Sequence, residues 1–103
     1  READGLAMSS RNTLLEPEYR KNAPHIHKVL QEATTLTSKM NVEELKKWVA
    51  EEINKNPYLE VEYFEIVDDT ELKPIRDWKE NNVKVGCVAV HAGKIRLIDN
   101  IVF

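Results

Sequence analysis

The sequence predicts one α+β domain, in which two helices pack on a three-stranded antiparallel sheet. Two amphipathic helical patterns come first along the chain, and three strand patterns follow them. A tight Gly93-Lys94 turn joins the last two strands, so they run antiparallel. Helices that are segregated in this way from an antiparallel sheet define the α+β class. The 103 residues, 42% of them hydrophobic, are enough for one domain with a modest core.

The first helix is predicted to begin at Pro17 and to kink or break near Pro24. Proline suits the first turn of a helix, but inside a helix it lacks the N–H that would bond to the carbonyl of Arg20. The helix is expected to fade in the threonine-rich residues 34–38. Its apolar side chains recur at steps of three and four and form one face: Tyr19, Ala23, Ile26, Leu30, Ala33 and Leu36.

The second helix is predicted from a capping arrangement, Asn41 followed by Glu44. It is expected to end at Asn56-Pro57, because the residue before a proline avoids helical geometry. Charged residues occupy its solvent face. One apolar stripe is predicted to enter the core: Val42, Leu45, Trp48, Val49 and Ile53.

The strand patterns occupy residues 58–67, 83–92 and 95–102. The first alternates apolar and acidic residues, and the adjacent Tyr63 and Phe64 shift its phase, which indicates a bulge. The second is apolar on both faces, which is typical of a central strand, and Cys87 and His91 share one face of it. Residues 70–82 read as a long connection that Trp78 is expected to pin to the domain.

Charge and composition exclude several classes of function. The chain has 15 basic and 18 acidic residues and a net charge of −3, and no basic face emerges, so nucleic-acid binding and attachment to an anionic membrane are not expected. No apolar run approaches the roughly 20 residues of a membrane helix, and no secretory signal is present. The single cysteine, Cys87, fits a reducing compartment, so we expect a cytoplasmic protein.

Residues 1–16 are predicted to be a loop, and they contain the candidate functional segment. Ser9 and Ser10 offer two hydroxyls and two backbone N–H donors, and Arg11 adds a charged fork that can bind two phosphate oxygens. Gly5 permits backbone shapes that other residues resist. The residues alone leave two interpretations open: a solvated loop, or a mobile loop that closes on a polyphosphate.

This segment, READGLAMSSRN, resembles the signature loop of the pantothenate synthetase (pantoate–β-alanine ligase) family. In that family the Met-Ser-Ser-Arg element is the counterpart of the KMSKS loop of class I aminoacyl-tRNA synthetases. The resemblance continues through Pro-Glu-x-x-Arg at residues 17–20, residues 63–72 and Arg-Leu-Ile-Asp-Asn at residues 96–100. It therefore covers nearly the whole chain, and it points to the C-terminal domain of the family.

The chain departs from the family pattern in one respect. The family's N-terminal half carries a nucleotide-binding fold with a His-x-Gly-His motif, and neither is found here. The chain begins at Arg1 rather than Met, so we expect it to be part of a longer protein. The domain assignment is then a signature and hinge loop at residues 1–16 and a C-terminal α+β lid domain at residues 17–103, with the N-terminal nucleotide-binding domain as its partner.

The resemblance implies a two-step, AMP-forming ligase. Pantoate and ATP would give pantoyl adenylate and pyrophosphate, and the amine of β-alanine would then release AMP and form pantothenate. Catalysis would rest on positioning and on neutralising charge at the phosphates. Mg²⁺ would assist, bound mainly by the N-terminal domain. The full-length enzyme is expected to be a homodimer, and these 103 residues alone are expected to be inactive.

Site residues follow from the resemblance position by position. Met8, Ser9, Ser10 and Arg11 would bind ATP. Ser9, Ser10 and Arg11 would also be catalytic: the two serines would donate to phosphate oxygens and the arginine would stabilise the departing pyrophosphate. Asp4 and Gly5 would shape the loop so that it opens and closes.

Other chemistry-bearing residues favour structural roles. His25 and His27 are two apart and point to different sides of a helix, so no metal site is predicted there. Cys87 beside His91 could form a thiolate–imidazole pair, but a buried apolar thiol is the preferred interpretation. The acidic run at residues 60–71 fits a solvated strand face and a turn, and Asp99-Asn100 is expected to bond to backbone near the sheet edge.

One alternative from a different functional class stays open at this stage. A small α+β interaction or regulatory module could carry a loop that merely resembles the signature. The sequence upstream of this chain distinguishes the two hypotheses, because an α/β domain with His-x-Gly-His supports the ligase.

Overall fold

The computed structural model describes residues 1–79 and 83–103 and confirms the α+β class. The part of the long connection at residues 80–82 lies outside the described residues. The elements, in chain order, are a 3₁₀ helix at Ser10–Leu14, helices α1 (Pro17–Asn22), α2 (His25–Ala33) and α3 (Val42–Asn54), and strands β1 (Glu60–Asp68), β2 (Lys84–Ala92) and β3 (Ile95–Val102).

The first predicted helix is broken at the expected place. Helix α1 ends at Asn22 and α2 begins at His25, with Pro24 between them. Pro24 lacks an N–H and cannot continue the ladder, while its own carbonyl accepts from Lys28 N at 3.2 Å. Helix α2 ends where the threonines begin, and the hydroxyl of Thr34 donates back to the carbonyl of Gln31 at 2.6 Å.

Helix α3 begins with the predicted capping box. Asn41 Oδ1 accepts from Glu44 N at 2.8 Å, and Glu44 Oε1 accepts from Asn41 N at 3.0 Å. Trp48, predicted to lie in the core stripe, is only partly buried and packs against the edge of the core. The other four stripe residues are fully buried: Val42, Leu45, Val49 and Ile53.

The sheet has the order β1-β2-β3 with both pairs antiparallel, so β2 is central as predicted. A register shift between Val61 and Tyr63 confirms the expected bulge, just before the predicted Tyr63-Phe64 position. The bulge reverses the phase of the strand, because it inserts one extra residue into it. Phe64 therefore faces the core, whereas Tyr63, predicted to share one face with Leu59 and Val61, is 44% exposed.

The core lies between the helices and one face of the sheet. Its largest fully buried side chains come from α2, α3, β1 and β2: Leu30, Leu45, Ile53, Ile66, Val88 and Val90, with Val42 and Val49. Trp78 pins the long connection as expected: its Nε1 donates to Met40 O at 2.8 Å, and its ring packs on Phe103. Among the described residues, no helix is long and apolar enough to span a bilayer.

The N-terminal segment is more structured than the predicted loop. The 3₁₀ helix at Ser10–Leu14 forms within it, and Leu6 and Leu15 are buried in the core. A 3₁₀ helix has three residues per turn and is only a few residues long. A search for the 3.6-residue period over a longer window therefore misses it.

Candidate functional site

A pocket of about 300 Å³ lies between the N-terminal segment, α2 and β3. Three of the four residues predicted to bind ATP line it, namely Met8, Ser9 and Arg11. Ser10 is an immediate neighbour but is not one of the described residues that form the wall. The other lining residues are Leu6, Ala7, Asn12, Ile26, Arg96, Leu97, Ile98 and Asp99.

The two serines begin the 3₁₀ helix and are exposed. Ser9 Oγ accepts from Arg11 N at 3.1 Å, so Ser9 is the N-cap. Because this bond uses the hydroxyl only as an acceptor, its own proton can still be donated to an anion. The carbonyl of Ser10 accepts from Thr13 Oγ1 at 2.9 Å within the helix. The side chain of Ser10 is exposed to solvent.

Arg11 and Arg96 bring two guanidinium groups to the same pocket. Arg11 Nη1 donates to the carbonyl of Arg96 at 3.4 Å, and this contact directs the exposed side chain toward β3. Within residues 1–79 and 83–103, no acidic side chain forms an ion pair with Arg11. Its charge is therefore available to an anionic ligand.

Arg96 is held differently, by the carboxylate of Glu62. Nε and Nη2 of Arg96 donate to the two oxygens of Glu62 at 3.0 Å each, and His91 Nε2 lies 2.8 Å from Glu62 Oε1. The Arg96 guanidinium and then His91 lower the pKa of Glu62 to about 2. The bulge of β1, which leaves Glu62 out of the strand pairing, places this carboxylate.

The turn that precedes the pocket is formed by Asp4 and Gly5. Asp4 accepts two hydrogen bonds from Arg20 on α1, at 2.7 and 3.3 Å, and this pairing lowers the pKa of Asp4. Gly5 has φ +96°, and a Cβ there would lie 2.7 Å from His27 Cδ2. The backbone of this turn therefore requires glycine both for its conformation and for its close approach to α2.

Arg1 and Asp99 form an anchor that sequence reasoning missed. Arg1 donates to both carboxylate oxygens of Asp99 at 2.9 Å and to the carbonyls of Gly5 and Asn100 at 2.9 and 3.2 Å. The pairing with Asp99 raises the pKa of Arg1. The predicted backbone bond is also present, since Asp99 Oδ1 accepts from Asn100 N at 2.7 Å. Arg1 and Asp99 are 98 residues apart in the sequence. No local sequence pattern links residues so far apart, so the ion pair was not predicted.

The histidines and the cysteine have separate surroundings. His25 Nε2 lies 3.0 Å from a carbonyl of α3, and burial lowers the pKa of His27. The ring of His91 contacts Glu62 rather than Cys87, and burial raises the pKa of the half-buried Cys87 thiol. In the described part of the chain, no three His, Cys, Asp or Glu residues are grouped so that they could hold a metal ion.

The acidic residues of the run at 60–71 have structural contacts, as predicted. Glu65 pairs with Lys46 on α3 at 2.8 Å. Asp68 is buried and closes the turn that follows β1: its carboxylate accepts from the backbone N–H groups of Thr70, Glu71 and Lys73. The bond from Glu71 is the main cause of a lowered pKa at Asp68.

These features define a small α+β domain whose capped loop brings an available arginine and a serine hydroxyl to the edge of an antiparallel sheet. The family model described as pantoate-beta-alanine ligase matches residues 1–102. The chain belongs to that family.

Curated relatives and solved structures agree with this assignment. The chain is 48% identical over 101 residues to a pantothenate synthetase from Porphyromonas gingivalis, and 45% identical over 103 residues to one from Azobacteroides pseudotrichonymphae. It aligns with the crystal structure of pantothenate synthetase from Thermus thermophilus with a TM-score of 0.83 and 36% identity. These matches cover 98–100% of this chain but only 36–37% of each relative, so the chain spans about a third of their length.

Proposed function

We propose that the chain is the C-terminal part of an ATP-dependent ligase that condenses pantoate with β-alanine through a pantoyl adenylate, releasing pyrophosphate and AMP. Membership of the family supports the reaction. The observation that carries the proposal is the position of Arg11, which lines the pocket beside Ser9 and takes part in no ion pair among the described residues.

The pocket residues suit the phosphates of ATP. Arg11 would stabilise the charge that develops on the departing pyrophosphate, since a guanidinium can bind two phosphate oxygens at once. Ser9 and Ser10 would donate hydrogen bonds to phosphate oxygens, and Met8, 70% exposed, would contribute mainly its backbone. Positioning and charge neutralisation, with little covalent chemistry by the protein, would lower the barrier.

The remaining parts of the enzyme would come from outside this chain. Mg²⁺ would be bound mainly by the N-terminal nucleotide-binding domain, as the resemblance to the family implies. That domain would also provide most contacts to pantoate and β-alanine, and it would form most of a homodimer interface. We propose a cytoplasmic enzyme, in keeping with the lone thiol of Cys87.

The test is Arg11→Ala in the full-length enzyme. Pyrophosphate release in the adenylation step is expected to fall by about a hundredfold or more, because charge-assisted contacts to a developing anion are worth several kcal/mol in a closed site. The thermal midpoint is expected to change little, since Arg11 is exposed. Unchanged pyrophosphate release by a folded Arg11→Ala enzyme would refute the assigned role.

A second measurement tests whether the activity requires the N-terminal domain as well as this chain. The 103 residues alone are expected to form no pantothenate and to bind ATP weakly, because most of the nucleotide site would lie in the N-terminal domain. Isothermal titration of ATP with Mg²⁺ into this chain checks the expectation. Tight, Mg²⁺-dependent binding would contradict it.

A further inference from the structure

Asn12 is a buried polar side chain directly beneath the candidate loop. It is 6% exposed and lies inside the 3₁₀ helix. Its Nδ2 donates to the carbonyl of Ala7 at 2.9 Å and to Glu2 Oε2 at 3.2 Å, and its backbone N–H donates to Ser9 O at 3.1 Å. One side chain thus joins the end of the loop to the beginning of the loop and to the segment before it.

The orientation of this amide follows from its neighbours. Both groups within reach of Nδ2 are acceptors, a carbonyl and a carboxylate, so only the NH₂ end can face them. The other end, Oδ1, is buried and has no hydrogen-bond partner among residues 1–79 and 83–103. A buried acceptor without a partner is costly, so the two bonds made by Nδ2 must offset that cost for Asn12 to stay inside.

Ser9 and Arg11 lie between Ala7 and Asn12, so the Asn12 amide contact constrains the segment that carries them. The Asn12 side-chain amide joins Asn12 to Ala7 and so closes residues 7–12 into a loop of fixed ends. This loop has already lost conformational entropy, whereas an open loop would lose it only on binding its ligand. The preceding turn is itself fixed, since Glu2 N donates to Leu6 O at 2.8 Å. Ser9 and Arg11 are thus presented on a loop that is already shaped.

We infer that Asn12 is a positioning residue for the adenylation step, and that the contact of its amide with Ala7 and Glu2 sets the reactive geometry of Ser9 and Arg11. The inference rests on the proposed ligase function, in which Asn12 would act through the loop that carries Ser9 and Arg11. The carboxylate of Glu2 makes the requirement specific for an amide, because a second carboxylate at position 12 would face it.

The experiment is a double-mutant cycle in the full-length enzyme with Asn12→Asp and Glu2→Gln. Asn12→Asp has the same shape but replaces the donor by a charged acceptor, and we expect kcat for pyrophosphate release to fall by about tenfold to a hundredfold, with KM for ATP changed far less. Glu2→Gln alone should change kcat by less than about twofold, since a Gln oxygen still accepts from Nδ2. Combined with Asn12→Asp, it should restore at least about threefold of the lost kcat, because the like-charge contact is gone.

Two further variants separate positioning from general damage. Thr13→Ala, which removes one exposed hydrogen bond of the same 3₁₀ helix, is the matched control and should keep wild-type kcat. Asn12→Ser, too short to reach Ala7 and Glu2, should lose kcat like Asn12→Asp but gain nothing from Glu2→Gln. It also replaces Asn12→Asp if the charged variant does not fold.

Hydrogen exchange provides a readout that does not depend on activity. In Asn12→Asp, faster amide exchange is expected at residues 7–12 with the α3 and β2 amides unchanged, and Glu2→Gln should slow it again. A folded Asn12→Ser enzyme with wild-type kcat, or an Asn12→Asp loss that Glu2→Gln leaves untouched, would overturn the inference. A wild-type enzyme that makes no pantothenate would instead refute the proposed function, and the exchange data would still test the amide contact.

Discussion

Replacing Gly5 by alanine should destabilise the domain through two separable effects. The φ of +96° lies in a region that residues with a Cβ rarely adopt. The added Cβ would also stand 2.7 Å from Cδ2 of His27, well inside van der Waals contact. The ring belongs to α2, and its Nδ1 is buried.

The size of the effect follows from these two observations. A non-glycine residue held in a sparsely populated backbone region costs about 1–3 kcal/mol, and overpacking of a well-packed site costs about 1–3 kcal/mol more. We therefore expect Gly5→Ala to lower the free energy of unfolding by about 2–6 kcal/mol. That is a large share of the roughly 5–15 kcal/mol of a typical domain.

Urea unfolding, followed by the fluorescence of Trp48 and Trp78, measures the change at constant m-value. His27→Ala in the Gly5→Ala background removes the steric contact but leaves the backbone strain. The loss caused by Gly5→Ala should therefore be about 1–3 kcal/mol smaller in the His27→Ala background than in the wild type. A decrease below about 0.5 kcal/mol for Gly5→Ala would refute the reasoning, as would an equal loss with and without His27.

Three further predictions concern the scaffold. Asn41→Ala removes the side-chain acceptor of the capping box and should lower the free energy of unfolding by about 0.5–2 kcal/mol in urea titrations; no measurable change would contradict a capping role. Leu45→Ala empties a fully buried site and should cost about 2–5 kcal/mol in the same assay, with a smaller loss indicating that the site collapses. The pKa of Glu62 is lowered from 4.5 to about 2 by Arg96 and His91, so its stabilisation is complete above about pH 4.5 and is lost as the pH falls toward 2. Glu62→Gln should remove that part of the acid dependence, and identical acid transitions in both proteins would exclude it.

Local sequence patterns were sufficient for most of the fold. The Asn41–Glu44 capping box, the helix break at Pro24 and the Gly93-Lys94 turn are each determined by residues within a few positions of one another. The 3₁₀ helix at Ser10–Leu14 was missed, because a single short turn has no hydrophobic period. Burial of Trp48 was overestimated, since helical spacing gives a direction but not the depth of the neighbouring layer.

In the candidate loop, too, some features could be predicted from the sequence and others only from the structure. Composition and resemblance singled out Met8, Ser9, Ser10 and Arg11, and the roles of these residues stay predictions. Asn12 stood beside them in the sequence as an ordinary polar residue. Only the structure places its amide beneath the loop, because its partners, Ala7 and Glu2, are brought there by the turn at Gly5.

Local sequence patterns predict the α+β class, the order of the helices and strands and the candidate functional segment, because periodicity, caps and turn residues act over a few neighbouring positions. The tertiary structure decided which distant charges meet: Arg1 with Asp99, and Glu62 with Arg96. Such pairs depend on strand register and on the bulge in β1, which shift side chains from one face to the other through contacts between strands. The pocket edge is consequently a property of the folded sheet, while the loop that reaches it can be recognised in the sequence.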